Sequence, residues 1–94
     1  MAATVTGGQG NSATNAYAVV GGGTQNFASS SLSVIGGGLR NQAGGEHATV
    51  GGGRQNLAGG SASTVWGGQD NTAMLDQSTV GGGGANLAAG TGAT

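Results

Sequence analysis

The stretch that decides the fold is ATVGGGRQNLAGG, residues 48–60. It contains a phrase that recurs along the chain: a β-branched residue, a spacer, two glycines, two variable residues, an asparagine, one variable residue and an alanine. The phrase returns with a constant 15-residue period, without insertion or deletion, so residues 5–94 divide into six units. The units begin at Val5, Val20, Ile35, Val50, Val65 and Val80. A period this short predicts a solenoid, in which each unit forms one coil.

Glycine dominates the composition. It accounts for 24 of the 94 residues, and the chain has one residue each of Phe, Trp and Tyr and no Pro or Cys. Such a composition alone is typical of low-complexity or disordered chains. The strict period indicates order instead, because a flexible linker has no reason to repeat an asparagine at one fixed interval. Since few apolar residues are available and ordering glycine costs extra backbone entropy, we expect the core to be shared between chains.

The charges and apolar runs of the chain limit the classes of partner. The formal net charge is −1, with two basic and three acidic side chains, and this leaves no basic patch for nucleic acid. No apolar run approaches the ~20 residues of a membrane-spanning helix, so we expect no membrane insertion by this segment.

Because the chain begins inside a unit and stops at a unit boundary, we predict a single repeat domain, residues 1–94, that is a fragment of a longer protein. Any signal sequence or anchor is expected outside it.

Each unit predicts two short strands and two turns, and hence an all-β fold. With the β-branched residue as position 1, positions 14 to 2 predict one strand and positions 7 to 10 a second. Alternation places positions 14, 1 and 3 together inside the coil, and positions 7 and 9 together with position 8 facing away. The glycines at positions 3 and 4 predict one turn, and positions 10 to 13 the other. Coils about 4.8 Å apart would give a rod of roughly 29 Å.

The asparagine at position 7 is the polar residue that never changes. It occurs as Asn11, Asn26, Asn41, Asn56, Asn71 and Asn86. Stacked coils would arrange these side chains in a ladder, with each amide bonding to the coils above and below. Alternatively, each asparagine takes a left-handed backbone conformation in a turn. Both roles are structural, and the sequence leaves the choice between them open.

The units resemble the head repeats of trimeric autotransporter adhesins, the YadA-like head family. The resemblance rests on residues 48–60 and their variants, and it covers residues 3–94. It implies a left-handed parallel β-roll, a homotrimer with three chains side by side, and a place at the bacterial cell surface on an outer-membrane stalk. The family's collagen-binding phrase, Asn-Ser-Val-Ala-Ile-Gly, is only partly matched by Ser-Val-Ile-Gly at 33–36, so collagen is not implied. Similar repeats also resemble phage tail-fibre segments, which leaves a structural spacer as the alternative function.

The sequence contains no motif that indicates catalysis or phosphate binding. The glycine runs are not followed by Gly-Lys-Ser/Thr and do not open a helix, so they predict turns rather than phosphate loops. The single histidine, His47, is expected to be a solvated loop residue rather than a metal ligand. We therefore predict no enzymatic activity, no metal and no cofactor. A threonine column at position 15 resembles that of ice-binding solenoids, but valine interrupts it, and we attribute it to strand propensity. Its members are Thr49, Thr64, Thr79 and Thr94.

Recognition is expected to come from the residues that differ between coils, because the invariant ones hold the coil. The candidate ligand contacts are Tyr17, Leu32, Arg40, Glu46, His47, Arg54, Trp66, Asp70 and Asp76. At position 8, Phe27, Leu57 and Leu87 are expected to pack on a neighbouring subunit, whereas Trp66 either packs in that way or contacts a ligand. The predicted function is multivalent attachment to host extracellular matrix or cell-surface glycoproteins.

Overall fold

The computed structural model describes residues 3–91, which contain twelve strands of two residues each and no helix. The strands alternate between the two sides of a coil. In chain order they are β1 Thr4–Val5, β2 Ser12–Ala13, β3 Val19–Val20, β4 Phe27–Ala28, β5 Val34–Ile35, β6 Gln42–Ala43, β7 Thr49–Val50, β8 Leu57–Ala58, β9 Thr64–Val65, β10 Thr72–Ala73, β11 Thr79–Val80 and β12 Leu87–Ala88. Odd-numbered strands occupy positions 15 and 1 of the repeat, and even-numbered strands occupy positions 8 and 9.

The strands form two parallel six-stranded sheets that follow the order of the coils. One sheet has the order β1-β3-β5-β7-β9-β11, and the other β12-β10-β8-β6-β4-β2. Each strand residue pairs with the equivalent residue of the next coil, as Thr4 does with Val19 and Thr72 with Leu87. The Cα atoms span 31 × 24 × 12 Å, and this thickness fits two sheets packed about 10 Å apart. The predicted parallel β-solenoid with 15-residue coils is confirmed.

The strands are shorter than predicted, and a third line of pairing lies between them. The first strand ends at position 1 because the chain turns at the glycines that follow it. At position 5, single-residue parallel bridges link all six coils, from Gln9 through Thr24 and Leu39 to Gly84. No sequence signal indicates this third ladder, since its members share no chemical type. One isolated backbone pair per coil requires no particular side chain.

Columns of small side chains fill the interior. The position 1 residues Val20, Ile35, Val50 and Val65 are fully buried. They form one cluster with the buried alanines of positions 9 and 14. The predicted interior is therefore confirmed for positions 14 and 1. It is wrong for position 3, whose glycines are half-buried or exposed, because strand alternation stops where the strand ends.

A single chain closes this interior without help from another. The exposed surface of the chain is 4430 Å², whereas a compact monomer of the same mass would expose about 4,700 Å². Columns of Ala, Ser, Val and Asn fill this thin coil within one chain. The expectation that chains share a core stays a prediction.

Asn56 illustrates how position 7 ties the coils together. Its backbone N–H donates to Oδ1 of Asn41 (3.0 Å), and its own Oδ1 accepts from the backbone N–H of Asn71 (3.0 Å). Its Nδ2 donates to the carbonyl oxygens of Gly52 (2.9 Å) and Gly68 (3.0 Å). The ladder is thus the correct alternative, although the amide bonds to its own coil and the following coil rather than to both neighbours. The left-handed conformation belongs instead to position 6, the residue before the asparagine.

Ser63 carries a buried hydroxyl that has no hydrogen-bond partner within the described residues. At the same position of other coils, the hydroxyls of Ser33 and Ser78 each donate to the carbonyl three residues earlier, at 2.6 Å, and Ala48 occupies it in a third. Because a buried unpaired hydroxyl is unfavourable, we expect Ser63→Ala to raise the free energy of unfolding by about 1 kcal/mol. Ser33→Ala, which loses a hydrogen bond, should lower it. Thermal denaturation measures both variants. Equal losses of stability would contradict the conclusion that the Ser63 hydroxyl is unpaired.

Candidate binding surface

Two ridges of outward-facing residues run along the coil stack, one on each turn. We define the 12–13 ridge as positions 12 and 13 of the coils, and the 5–6 ridge as positions 5 and 6. The 12–13 ridge comprises residues 16–17, 31–32, 46–47, 61–62 and 76–77, and the 5–6 ridge comprises residues 9–10, 24–25, 39–40, 54–55, 69–70 and 84–85. All predicted ligand contacts except Trp66 lie on these ridges. Tyr17, Leu32, Glu46, His47 and Asp76 belong to the first, and Arg40, Arg54 and Asp70 to the second.

Backbone hydrogen bonds between coils hold both ridges in place. On the 12–13 ridge, position 13 donates its N–H to the position 12 carbonyl of the preceding coil, as His47 does to Ser31 at 3.0 Å. On the 5–6 ridge, position 6 donates to position 5 of the preceding coil, as Asp70 does to Arg54 at 3.0 Å. Neighbouring side chains of a ridge are therefore spaced by the coil repeat, about 4.8 Å.

Positions 6 and 13 adopt the left-handed backbone conformation. The φ angle is +54° at Arg40, +58° at Asp70 and Tyr17, and +61° at His47. No expectation from the sequence covers this conformation, although neither position carries a β-branched residue in any coil, and such residues avoid positive φ. Because the conformation recurs wherever the structure describes positions 6 and 13, it belongs to the turn geometry and does not single out one candidate. It fixes the backbone from which each ridge side chain projects.

The 12–13 ridge offers aromatic, imidazole and carboxylate groups to solvent. Nε2 of His47 lies 3.7 Å from Oε1 of Glu46, and the two side chains are 57 % and 66 % exposed. Asp76 accepts the backbone N–H of Ser61 through Oδ1 at 3.2 Å. Tyr17 is exposed two coils before His47. These groups can form hydrogen bonds with a polar ligand that lies along the ridge.

The 5–6 ridge carries both arginines of the chain and one of its three acids. Nε of Arg40 donates to Oε1 of Gln25 in the preceding coil at 3.0 Å. Oδ2 of Asp70 accepts from Nε2 of Gln69 at 3.4 Å. Arg54 is exposed between them in the stack. The ridge therefore presents positive charge in its central coils and negative charge one coil further on.

Trp66 and the side chains at position 8 lie away from the ridges, on the outer faces of the two sheets. Trp66 is 63 % exposed and follows β9 at the spacer position, where four other coils have glycine. Position 8 faces outward as predicted: Leu87 is 62 % exposed, Phe27 is exposed and Leu57 is half-buried. The packing of these side chains on a neighbouring subunit, and the role of Trp66, stay predictions.

The threonine column lies on the outer face of the first sheet. Thr49, Thr64 and Thr79 are half-buried and pair with one another in register. Val19 and Val34 continue the same column in earlier coils, and Thr94 lies outside the described residues. The column therefore contains both valine and threonine and is not a uniform threonine surface.

The part of the chain that the structure describes contains no group of three His, Cys, Asp or Glu side chains that could hold a metal ion. Residues 3–91 also include no helix with the length and hydropathy to cross a membrane. Comparison with protein-family models gives no match, and comparison with curated proteins gives none.

Proposed function

We propose that the chain is a head segment of a bacterial trimeric surface adhesin, which attaches the cell to host matrix or cell-surface glycoproteins without enzymatic activity. The observation that carries this proposal is the contrast between the buried columns and the ridges. Position 7 is asparagine and position 9 is alanine in every coil. Position 13, on the 12–13 ridge, changes from tyrosine to leucine, histidine, alanine and glutamine along the stack. Variable side chains on a constant frame suit recognition better than support alone.

The ridges also suit binding through many weak contacts. Each coil presents its side chains on a backbone that is fixed to the preceding coil, so little conformational entropy is lost when a ligand binds. In a homotrimer every ridge would occur three times, and a target with repeated epitopes could engage several at once. Extracellular matrix proteins and cell-surface glycoproteins present such epitopes. The left-handed β-roll and the outer-membrane location belong to the same proposal, which rests on the resemblance of the repeat.

The outer face of the second sheet supports the proposal of a trimer. Phe27, Leu57 and Leu87 stand on this face at position 8. Exposed apolar side chains that share one face are typical of contact surfaces. Since the interior is already closed, this face is the better candidate for contact between chains. The ridges on the turns would then stay open to ligand.

Surface binding across a panel of matrix proteins and cultured cells tests the function. The triple variant carries Arg40→Ala and Arg54→Ala on the 5–6 ridge and Trp66→Gly on the outer face of the first sheet. A matched control carries Thr14→Ala and Ser29→Ala, outside the ridges. We expect the wild type and the control to bind at least one target, and the triple variant to bind it at least about tenfold more weakly. Light scattering and circular dichroism establish that all three proteins have the same assembly and fold. Equal binding by the triple variant would show that the two arginines and Trp66 do not carry adhesion.

The regularity of the coil stack favours a second candidate, a structural spacer in a surface or phage fibre. Every strand pair repeats the same register, and such a stack can be extended to hold a tip at a distance. The same panel separates the two functions. A spacer binds none of the targets, whereas an adhesin head binds at least one.

A further inference from the structure

The outer face of the first sheet carries one large aromatic side chain among small residues. Trp66 follows β9, and Thr64 lies two residues earlier on the same outer face. Strands β7 and β11 pair with β9 in register, so each coil beside β9 supplies a threonine next to Thr64 and a glycine next to Trp66. We define the Trp66 face as these six positions in three adjacent coils: Thr49, Gly51, Thr64, Trp66, Thr79 and Gly81.

Hydrogen bonds between coils fix the backbone on both sides of Trp66. Its N–H donates to the carbonyl oxygen of Val80 in the following coil at 3.0 Å, and the carbonyl oxygen of Val65 accepts the N–H of Gly51 at 2.8 Å. The indole therefore projects from a backbone that two neighbouring coils hold in place. Since tryptophan also has only two side-chain torsions, little conformational entropy is lost when a ligand contacts it.

The glycine before Trp66 in the stack keeps the coil surface beside the indole free of side chains. A Cβ at Gly51 would lie 2.4 Å from the carbonyl oxygen of Trp66. The same overlap, at 2.5 Å, excludes a side chain at Gly21 and Gly36 in the two earlier coils. Trp66 is exposed, and the surface on this side of it presents backbone alone.

Threonine hydroxyls form the polar flank of the Trp66 face. Thr49, Thr64 and Thr79 are half-buried, and successive coils place them about 4.8 Å apart. Each hydroxyl can donate one hydrogen bond and accept two. Valine occupies this position only in coils further from Trp66, as Val19 and Val34. An exposed aromatic ring therefore lies beside a row of evenly spaced hydroxyls.

The charges nearest to this face are of opposite sign. Arg54 lies in the coil before Trp66, and Asp70 follows Trp66 by four residues in the same coil. The two are neighbours in the stack, since the N–H of Asp70 donates to the carbonyl oxygen of Arg54 at 3.0 Å. A nucleic acid, whose bases also stack on aromatic rings, requires a basic surface to hold its phosphates. The paired charges here favour an uncharged ligand.

We propose that the Trp66 face binds a neutral saccharide. This inference rests on the proposed adhesive function and deepens it, because it names the glycan as the recognised part of a host glycoprotein. A pyranose ring has an apolar side of C–H groups and a rim of hydroxyls. Its C–H groups pack on the indole, whose face carries partial negative charge, and its hydroxyls bond to the threonines. A second protein chain fits this face less well, since the core of a protein contact contains several large apolar side chains.

The fluorescence of Trp66 reports on binding directly, because it is the only tryptophan of the chain. The probes are the methyl glycosides of galactose, glucose, mannose and N-acetylglucosamine, titrated into the full chain. We expect at least one of them to shift the emission to shorter wavelength and to protect Trp66 from quenching by acrylamide. A dissociation constant on the order of 1 mM is expected for so open a site. It should not change with salt concentration, because the ligand is neutral.

Removal of the hydroxyls tests the polar flank. The triple substitution Thr49→Val, Thr64→Val and Thr79→Val introduces the residue that other coils have at this position, and valine keeps the strand propensity. We expect this protein to bind the same saccharide at least about tenfold more weakly. Circular dichroism establishes that it keeps the wild-type fold.

Saturation-transfer NMR tests the indole, because it needs no tryptophan for detection. Trp66→Gly introduces the residue that four other coils have at this position, and it should abolish transfer to the saccharide. Trp66→Phe should restore part of it, since a smaller aromatic ring remains. The matched control is Met74→Ala, which removes an exposed apolar side chain outside the Trp66 face and should bind as the wild type does.

Three results would overturn this inference. The first is that none of the four glycosides binds although the chain binds a matrix protein, in which case adhesion would stand without this site. The second is that acrylamide cannot reach Trp66 before any saccharide is added, because a partner chain covers it. The third is equal saccharide binding by Trp66→Gly. Saccharide binding at Trp66 without attachment to any matrix protein or cell would support this site and refute the proposed function.

Discussion

Gly53→Ala is expected to lower the free energy of unfolding by about 3 kcal/mol or more, because it combines a left-handed backbone with steric overlap. Gly53 is the position 4 glycine, with φ +88°. A Cβ atom there would lie 2.1 Å from the carbonyl oxygen of Gly68 in the next coil and 2.7 Å from Nδ2 of Asn56. The overlap could be relieved only if the two coils moved apart, which would break the hydrogen bond from Nδ2 of Asn56 to the carbonyl oxygen of Gly68.

Gly52→Ala is the matched control for this prediction. A Cβ at Gly52 meets nothing within 4 Å, and its φ lies outside the left-handed region. We expect a change within about 0.5 kcal/mol, as for most surface substitutions. Thermal denaturation followed by circular dichroism measures both variants. Similar melting temperatures would mean that the close approach of coils at position 4 is not what holds the turn.

Asn56→Ala is expected to cost about 3 kcal/mol or more, because it removes three hydrogen bonds made by a buried amide and leaves the N–H of Asn71 without its acceptor. The N–H of Asn71 loses its acceptor, and the carbonyls of Gly52 and Gly68 lose the amide donor. The side chain is almost fully buried, so water cannot replace these bonds without opening the coil.

Two controls make the asparagine prediction specific. Gln55→Ala, at an exposed neighbouring position where Ala85 stands in a later coil, should change stability by less than about 0.5 kcal/mol. The loss of stability for Asn86→Ala should lie between the losses for Gln55→Ala and Asn56→Ala. Asn86 is exposed, and its Nδ2 donates only to Gly82 within the described residues. Chemical denaturation measures the series. The same loss for Asn56→Ala and Asn86→Ala would contradict the ladder as the source of stability.

Much of this fold could be predicted from the sequence, because each coil repeats the same constraint. The β-branched residue at position 1 and the alanine at position 9 had to face inward for so short a coil to close. The glycines at positions 3 and 4 predict a turn, and the structure has a positive φ at position 4, as at Gly53. The asparagine was recognised as structural, and the choice between its two roles needed coordinates, because both use the same residue.

The errors have a common physical origin in the shortness of the strands. Alternation was extended to position 3, yet each strand ends before it reaches that glycine. The ladder at position 5 involves backbone alone, so residues as different as Leu39 and Arg54 occupy it. The left-handed positions 6 and 13 could have been found from the lack of β-branched residues there. Of the candidate site, exposure could be predicted; the grouping into two ridges depends on where the turns lie.

We propose that three chains stand side by side and present each ridge three times. Light scattering on a size-exclusion column gives the number of chains in the particle. We expect a folded particle of about three times the 8.7 kDa chain mass at micromolar concentration. A folded particle of 8.7 kDa would contradict it, because a single closed coil stack would then be the complete unit.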